Sequence, residues 1–269
     1  MRKIGVLSFT AGKNPDRNED ASGFNAHTIV LADGATDKAG IAYEQDAQTG
    51  AYKTGGEIAA RIVVETALAS RLSGKDFVDA VTEEIRQYYT QHAPQALEDS
   101  ACRFTAAAVV AHIVGDELMI TQVGDTSFRI NSREEYKNDK EIDTIHADMR
   151  RKYIEETGDI PGGRDHIMPR LKVQHKLQNN GQDALGYGAL DGSPVPEKFI
   201  RTFSFPLKEV HTLELVTDGY FGAFPVETTI DAYEKLHAHI EIIDPHKVGE
   251  FASTKTSDDR TVLIVSFDR

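Results

Sequence analysis

The chain has 269 residues, a formal net charge of −13, 40% hydrophobic residues and a single cysteine. That is the composition of a folded globular protein with a substantial core. It excludes a disulfide framework and a cysteine-rich zinc site, and its acidity argues against nucleic acid or an anionic membrane as partner.

Met1-Arg2-Lys3-Ile4-Gly5-Val6 enters a strand pattern directly, which leaves no room for a signal peptide. No apolar run approaches the ~20 residues needed to span a bilayer, so the cytoplasm is the expected compartment. Residues 3–9 form the first expected strand. In residues 24–32 the run His27-Thr28-Ile29-Val30-Leu31 reads as a buried strand ending in a turn at Asp33-Gly34. Thr54-Gly55-Gly56-Glu57 has capping-box spacing and opens a helix to about Leu72, with Ile58, Ile62 and Leu68 on its apolar face. Ser73-Gly74-Lys75-Asp76 opens a second helix that presents Phe77, Val81, Ile85 and Tyr88 and ends near Pro94. Residues 104–114 and 117–123 are strands joined at Gly115-Asp116. Gly124-Asp125 then turns the chain into a third strand at 126–131. The following block is charge-rich. Ile142, Ile145, Met149 and Tyr153 have helical spacing within it, and Ile160-Pro161-Gly162-Gly163-Arg164 reads as an exposed loop. Strands are expected at 199–205 and 211–217, a helix at 228–240, and a last buried strand at 261–267. This order is no βαβ alternation, so the expected class is α+β with antiparallel sheets. Residues 1–269 read as one domain, with 131–196 inserted into it.

Acidic residues recur at the ends of apolar strands: Glu19-Asp20, Asp33-Gly34, Gly124-Asp125, Asp218-Gly219 and Asp258-Asp259. Two readings stand side by side. Asp-Gly after a strand is a common turn, and an Asp before a strand is ordinarily solvated. Carboxylates gathered at one rim of a core would instead repel one another and raise each other's pKa unless a cation holds them. All-oxygen donors suit a hard ion such as Mg²⁺ or Mn²⁺. No HExxH, GxxxxGK[ST], GxGxxG or GxSxG motif offers another centre.

In order along the chain, six segments resemble the motifs of the metal-dependent protein phosphatases of the protein phosphatase 2C type. They are Asn18-Glu19-Asp20-Ala21, Leu31-Ala32-Asp33-Gly34, Phe104-Thr105-Ala106-Ala107, Val123-Gly124-Asp125-Thr126-Ser127-Phe128-Arg129, Val216-Thr217-Asp218-Gly219 and Asp258-Asp259-Arg260-Thr261-Val262. The resemblance implies a four-layer α/β/β/α sandwich with two central antiparallel sheets. It implies two bound Mg²⁺ or Mn²⁺ ions and a weaker third. Asp33 would bridge two of them, the Gly34 carbonyl would bind one, Asp218 and Asp258 would complete the first, and Glu19 would support the second. Asp125, with Asp218, would hold the third, while Asp20 and Asp259 orient waters. The implied activity is hydrolysis of phosphoserine and phosphothreonine in a phosphorylated protein partner.

Three departures accompany the resemblance. Pro15 stands where an arginine often holds the phosphate, leaving Lys13 and Arg17 as nearby cations. Ala35 stands where a histidine often follows Asp-Gly, and Gly222 replaces a further acid. In the inserted segment, Arg150, Arg151, Lys152, Arg164, Arg170, Lys172 and Lys176 read either as a solvated face or as a substrate-docking surface. Two other functions remain open from the residues: a catalytically weak relative that binds phosphoprotein, and a phosphatase for small metabolites.

Overall fold

The computed structural model describes residues 4–14, 17–35, 44–45 and 50–267; Met1, Arg2, Lys3 and Pro15 lie outside them. The described elements run β1 (Ile4–Ala11), β2 (Ala21–Phe24), β3 (Thr28–Ala35), the short pair β4 (Glu44–Gln45) and β5 (Tyr52–Lys53), α1 (Gly55–Ala69), α2 (Gly74–His92) and the single turn α3 (Gln95–Glu98). They continue with β6 (Thr105–Val114), β7 (Glu117–Val123), β8 (Ser127–Ile130), β9 (Glu134–Tyr136), α4 (Glu141–Thr157), α5 (Ile160–Val173), β10 (Arg201–Pro206), β11 (Thr212–Val216), α6 (Ile230–Ile243) and β12 (Arg260–Phe267).

Among the described residues two five-stranded antiparallel sheets form, ordered β1-β12-β11-β8-β9 and β10-β7-β6-β3-β2. Period-two alternation decides how they stack. Along β3, Ile29 and Leu31 point one way, into a core shared with Val109, Leu118 and Ile120 of their own sheet. Phe128, Leu213, Leu215, Leu263 and Val265 of the other sheet close that core. Val30 and Ala32 point the other way, onto Ile58, Val63 and Ala67 of α1 and Phe77, Val81 and Ile85 of α2. The outer face of the second sheet, through Val216, Val262 and Ile264, packs on Tyr233 of α6. The layers are therefore helices, sheet, sheet and helix, as the resemblance implies.

Both faces of the central strands are buried, which is why they read as unbroken apolar runs. Thr54 caps α1 with the expected capping box. Two expectations change. Asp33-Gly34 is no turn after a strand: β3 continues through both to Ala35, with Asp33 opposite Ala107 and Gly34 opposite Ala106. The glycine serves a close approach instead, because a Cβ there would lie 2.4 Å from the Gly56 carbonyl oxygen and 2.5 Å from that of Glu19. The segment read as a loop at Ile160-Pro161-Gly162-Gly163-Arg164 opens α5. Asp159 caps it by accepting from the Gly162 N–H, and proline is favourable at a first turn.

Candidate active site

Antiparallel pairing brings the acidic strand ends to one rim. In one sheet, Val216 at the end of β11 pairs with Ser127 at the start of β8 and with Val262 near the start of β12. Asp218, Asp125 and Asp258-Asp259 flank those positions. In the other sheet, the end of β3 pairs with the start of β6, and Ala21 at the start of β2 pairs with Ala32. That places Asp33 and Glu19-Asp20 at the same rim.

Hydrogen bonds fix the arrangement. Both oxygens of Asp259 are used: one accepts from the Lys13 N–H (2.7 Å), the other from the Glu19 N–H (2.9 Å). Thr54 Oγ1 donates to Glu19 Oε1 (2.6 Å) while accepting from the Glu57 N–H, so the helix cap of α1 also positions Glu19. Thr217 and Thr261 donate to one oxygen of Asp20 at 2.9 and 2.7 Å. Asp33 and Asp218 stand near enough for the charge of one to bear on the ionisation of the other.

The charges are poorly balanced. Burial, reinforced by Asp218, Asp20 and Asp125, pushes the Asp33 carboxyl well above the usual range. Burial pushes Asp125 up as well, though Lys140 Nζ stands 2.8 Å away. On Asp218 burial acts upward too, but Lys255 and Lys140 outweigh it and hold that carboxyl low. Asp20 Oδ1 and Asp218 Oδ1 are buried without a hydrogen-bond partner. Unpartnered carboxylate oxygens beside a mutually repelling group are the donor chemistry of a hard divalent cation. Among the described residues, however, no three acidic, histidine or cysteine side chains converge as a closed ligand set. Lysine ammonium groups stand between them instead: Lys13 Nζ is 2.9 Å from Glu19, 3.4 Å from Asp259 and 3.6 Å from Asp258, and Lys255 contacts Asp258.

A pH dependence follows from Asp20. Burial, with Asp218 and Asp259 near, pushes it up to about 7 despite the two threonine hydrogen bonds. In an unfolded chain an aspartate titrates near ~3.9. Between those values the unfolded chain has released a proton that the metal-free fold retains, so stability falls as pH rises through that window. Thermal melts in EDTA are expected to give a higher Tm at about pH 5 than at about pH 7.5, with a smaller difference in Asp20→Asn.

The rim opens into a cleft of about 730 Å³ whose lining includes Asp33, Gly34, Asp125, Asp218 and Asp258. The lining also includes Lys140, Arg164, Lys172, His175 and Tyr187 from residues 131–196. Of the site residues read from the sequence, Glu19, Asp20 and Asp259 lie behind the lining and hold it by hydrogen bonds. Arg17 is not brought to the cleft: its guanidinium donates to the Tyr52 carbonyl (3.1 Å) at the exposed surface, whereas Lys13 is in the lining. Arg150 is corrected as a docking residue. It is fully buried and donates to the carbonyls of His246, Lys247 and Ser253. Sequence reasoning passed over Lys140 and Lys255. The one signal for Lys255 is its place three residues before Asp258.

No protein-family model and no curated protein sequence matches the chain. Solved structures do. The chain is similar to the serine/threonine phosphatase Stp1 from Staphylococcus aureus, at 17% identity and a TM-score of 0.52, over 99% of this chain and 96% of that one. It is similar to the serine/threonine phosphatase PstP/Ppp of Mycobacterium tuberculosis at 15% identity and a TM-score of 0.50, over 100% of both. A PstP catalytic domain in complex with two manganese ions matches at 16% identity and a TM-score of 0.52, again over 100% of both. The fold is that of the protein phosphatase 2C type.

Proposed function

We propose that this protein is a Mg²⁺- or Mn²⁺-dependent phosphatase that hydrolyses phosphoserine and phosphothreonine esters in proteins, with residues 1–269 as one catalytic domain and 131–196 as its flap. The observation that carries the reading is the set of partly buried, undercompensated carboxylates at one rim, with Asp33 pushed up by Asp218, Asp20 and Asp125 and with unpartnered oxygens on Asp20 and Asp218. Asp33, Asp218, Asp258, the Gly34 carbonyl and Glu19 are the residues that would hold two ions, and Asp125 with Asp218 a weaker third. Divalent ions bound there supply neutralisation of phosphoryl charge and a water acidic enough to attack near neutral pH. Asp259 and Asp20 act through others: one fixes the backbone of Glu19, the other is clamped by Thr217 and Thr261.

The net charge of −13 repels a phosphate from the bare protein. Arg164 and Lys172 of the flap offset that repulsion at the cleft itself. Ala35 offers no proton to the departing serine or threonine oxygen. That proton comes from solvent, since His175, the histidine among the lining residues, has its pKa lowered by burial and bonds Ser100 at 2.9 Å.

The test is hydrolysis of a phosphothreonine peptide with Mn²⁺, after EDTA, and after restoring Mn²⁺. Activity is expected to fall about a hundredfold or more in EDTA and to return with the metal; activity that persists in EDTA overturns the proposal. A sugar-phosphate panel run in parallel separates a metabolite phosphatase. One observation favours a catalytically silent phosphoprotein binder, namely the lysines lodged among the carboxylates. Phosphopeptide binding without turnover at saturating Mn²⁺ would establish that alternative.

A further inference from the structure

Of the lysines lodged among the carboxylates, Lys255 is the one whose ammonium reaches both Asp218 and Asp258. Its Nζ contacts Asp258 Oδ2 and stands 3.4 Å from Asp218 Oδ2. These two carboxylates approach from neighbouring strands, β11 and β12, and are the pair assigned above to one ion. An ammonium set between them fills the place where a cation gains most from both charges.

The placement is built, not incidental. The loop before Lys255 is tied from two sides. Arg150 of α4 donates to the carbonyls of His246, Lys247 and Ser253, and Arg164 of α5 donates to that of Thr254. Asp244 accepts from the N–H groups of Val248, Gly249 and Phe251, closing the loop on itself. The bland alternative is a surface salt bridge of negligible worth. Lys255 and Asp218 are each 30% exposed, but Asp258 is only 7% exposed and the ammonium faces two acids at once, which an isolated surface pair does not. A lysine carries its charge on a flexible stem and can leave without moving the backbone, which a pinned arginine fork does less readily. Since Lys255 already lines the cleft, open space lies beside it.

We propose that Lys255 is a built-in counter-ion that holds the position of the first divalent ion in the metal-free protein, is displaced when the ion arrives, and thereby sets the metal concentration at which the site loads. The proposal rests on the metal reading of the site. A divalent ion outcompetes a single ammonium because it brings twice the charge to the same two carboxylates. The lysine raises the threshold without abolishing binding, and in the metal-free fold it offsets the Asp218–Asp258 pair more directly than Lys13, 3.6 Å from Asp258, or Lys140.

The test is Mn²⁺ titration calorimetry on the full chain, wild type against Lys255→Met, with thermal melts in EDTA and in Mn²⁺. Lys255→Met is expected to bind Mn²⁺ on the order of tenfold more tightly. Its Tm in EDTA is expected to be lower, and its rise on adding Mn²⁺ larger, as linkage to a tighter ligand requires. Lys255→Arg, which keeps the charge, is expected to bind no more tightly than wild type. Equal or weaker Mn²⁺ binding by Lys255→Met overturns the proposal and leaves the metal reading standing. Tightening by Lys255→Arg as large as by Lys255→Met also overturns it, since charge would then not be the cause. Absence of Mn²⁺ binding from all three proteins overturns both. Should Lys255→Met not fold in EDTA, Lys255→Gln, which removes the charge and keeps a polar end, is titrated in its place and is expected to bind Mn²⁺ more tightly than wild type; equal or weaker binding overturns the proposal.

Discussion

Asp33→Asn is expected to lower kcat/KM on a phosphothreonine peptide by on the order of a thousandfold, which corresponds to the several kcal/mol of transition-state stabilisation a bound ion supplies. The same substitution is expected to leave the metal-free fold intact. Burial and three neighbouring acids push the Asp33 carboxyl well above the usual range, toward its neutral form. An amide is close in shape to that neutral acid and removes a charge that Asp218, Asp20 and Asp125 repel. In EDTA the variant is therefore expected to melt at or above the wild-type temperature. The rise in Tm that Mn²⁺ gives the wild type is expected to vanish. Activity and melting thus move in opposite directions, a pattern that simple unfolding cannot produce. A variant that keeps wild-type kcat/KM, or that melts early in EDTA, contradicts this account of the site.

The second large effect concerns stability. Glu214 on β11 is fully buried. Arg129, directly opposite on β8, donates to both its oxygens at 2.8 and 2.6 Å and also to the Pro225 carbonyl. Tyr233 of α6 donates to the same carboxylate at 2.8 Å, and Thr228 at 3.2 Å. Burial, with Glu214 beside it, holds the Tyr233 hydroxyl protonated, so it remains a donor. Arg129→Met strands a buried carboxylate, which typically costs about 3–5 kcal/mol. For a chain of this size the expected loss in Tm is about 6–20 °C. The double variant Arg129→Met, Glu214→Leu is expected to recover most of it, because an apolar pair at such a site is often no worse than the ion pair. Thermal melts of the two variants check both statements. If the double variant is as unstable as the single one, the cost lies in lost packing and not in the stranded charge.

The elements legible in the sequence are those whose cause is local or whose burial is two-sided. The capping box at Thr54 and Glu57 announces α1, and the unbroken apolar runs of β3, β6, β7 and β12 announce the central strands. The recurrence of acids at strand ends singled out the residues that meet at the rim. Other features were hidden because a distant partner decides them. Asp33-Gly34 has the composition of a turn, yet pairing with Ala107 and Ala106 keeps it extended. Pro161-Gly162-Gly163 has the composition of a loop, yet the Asp159 cap makes it a first helical turn. Arg150 resembles its exposed neighbours in every local respect, and only the carbonyls of residues 246–253 make it a core residue. For Lys255 the sequence shows only its place three residues before Asp258, since its other partner, Asp218, follows a different strand.

The position of β12 bears on when this chain acquires its site during synthesis. β12 lies between β1 and β11, and β1 joins its sheet through β12. Asp259, at the start of that strand, supplies the acceptors for the backbone of Lys13 and Glu19, about 240 residues earlier. A ribosome makes this stretch after nearly everything it organises. Closing so long a span costs little more entropy than closing one half its length, but nothing can close before the segment exists. While the chain is nascent, its N-terminal acids, Asp33 among them, wait without the scaffold that gathers them. Completion of the sheet that holds β1, β12 and β11, and with it of the carboxylate rim, therefore waits on the synthesis of β12.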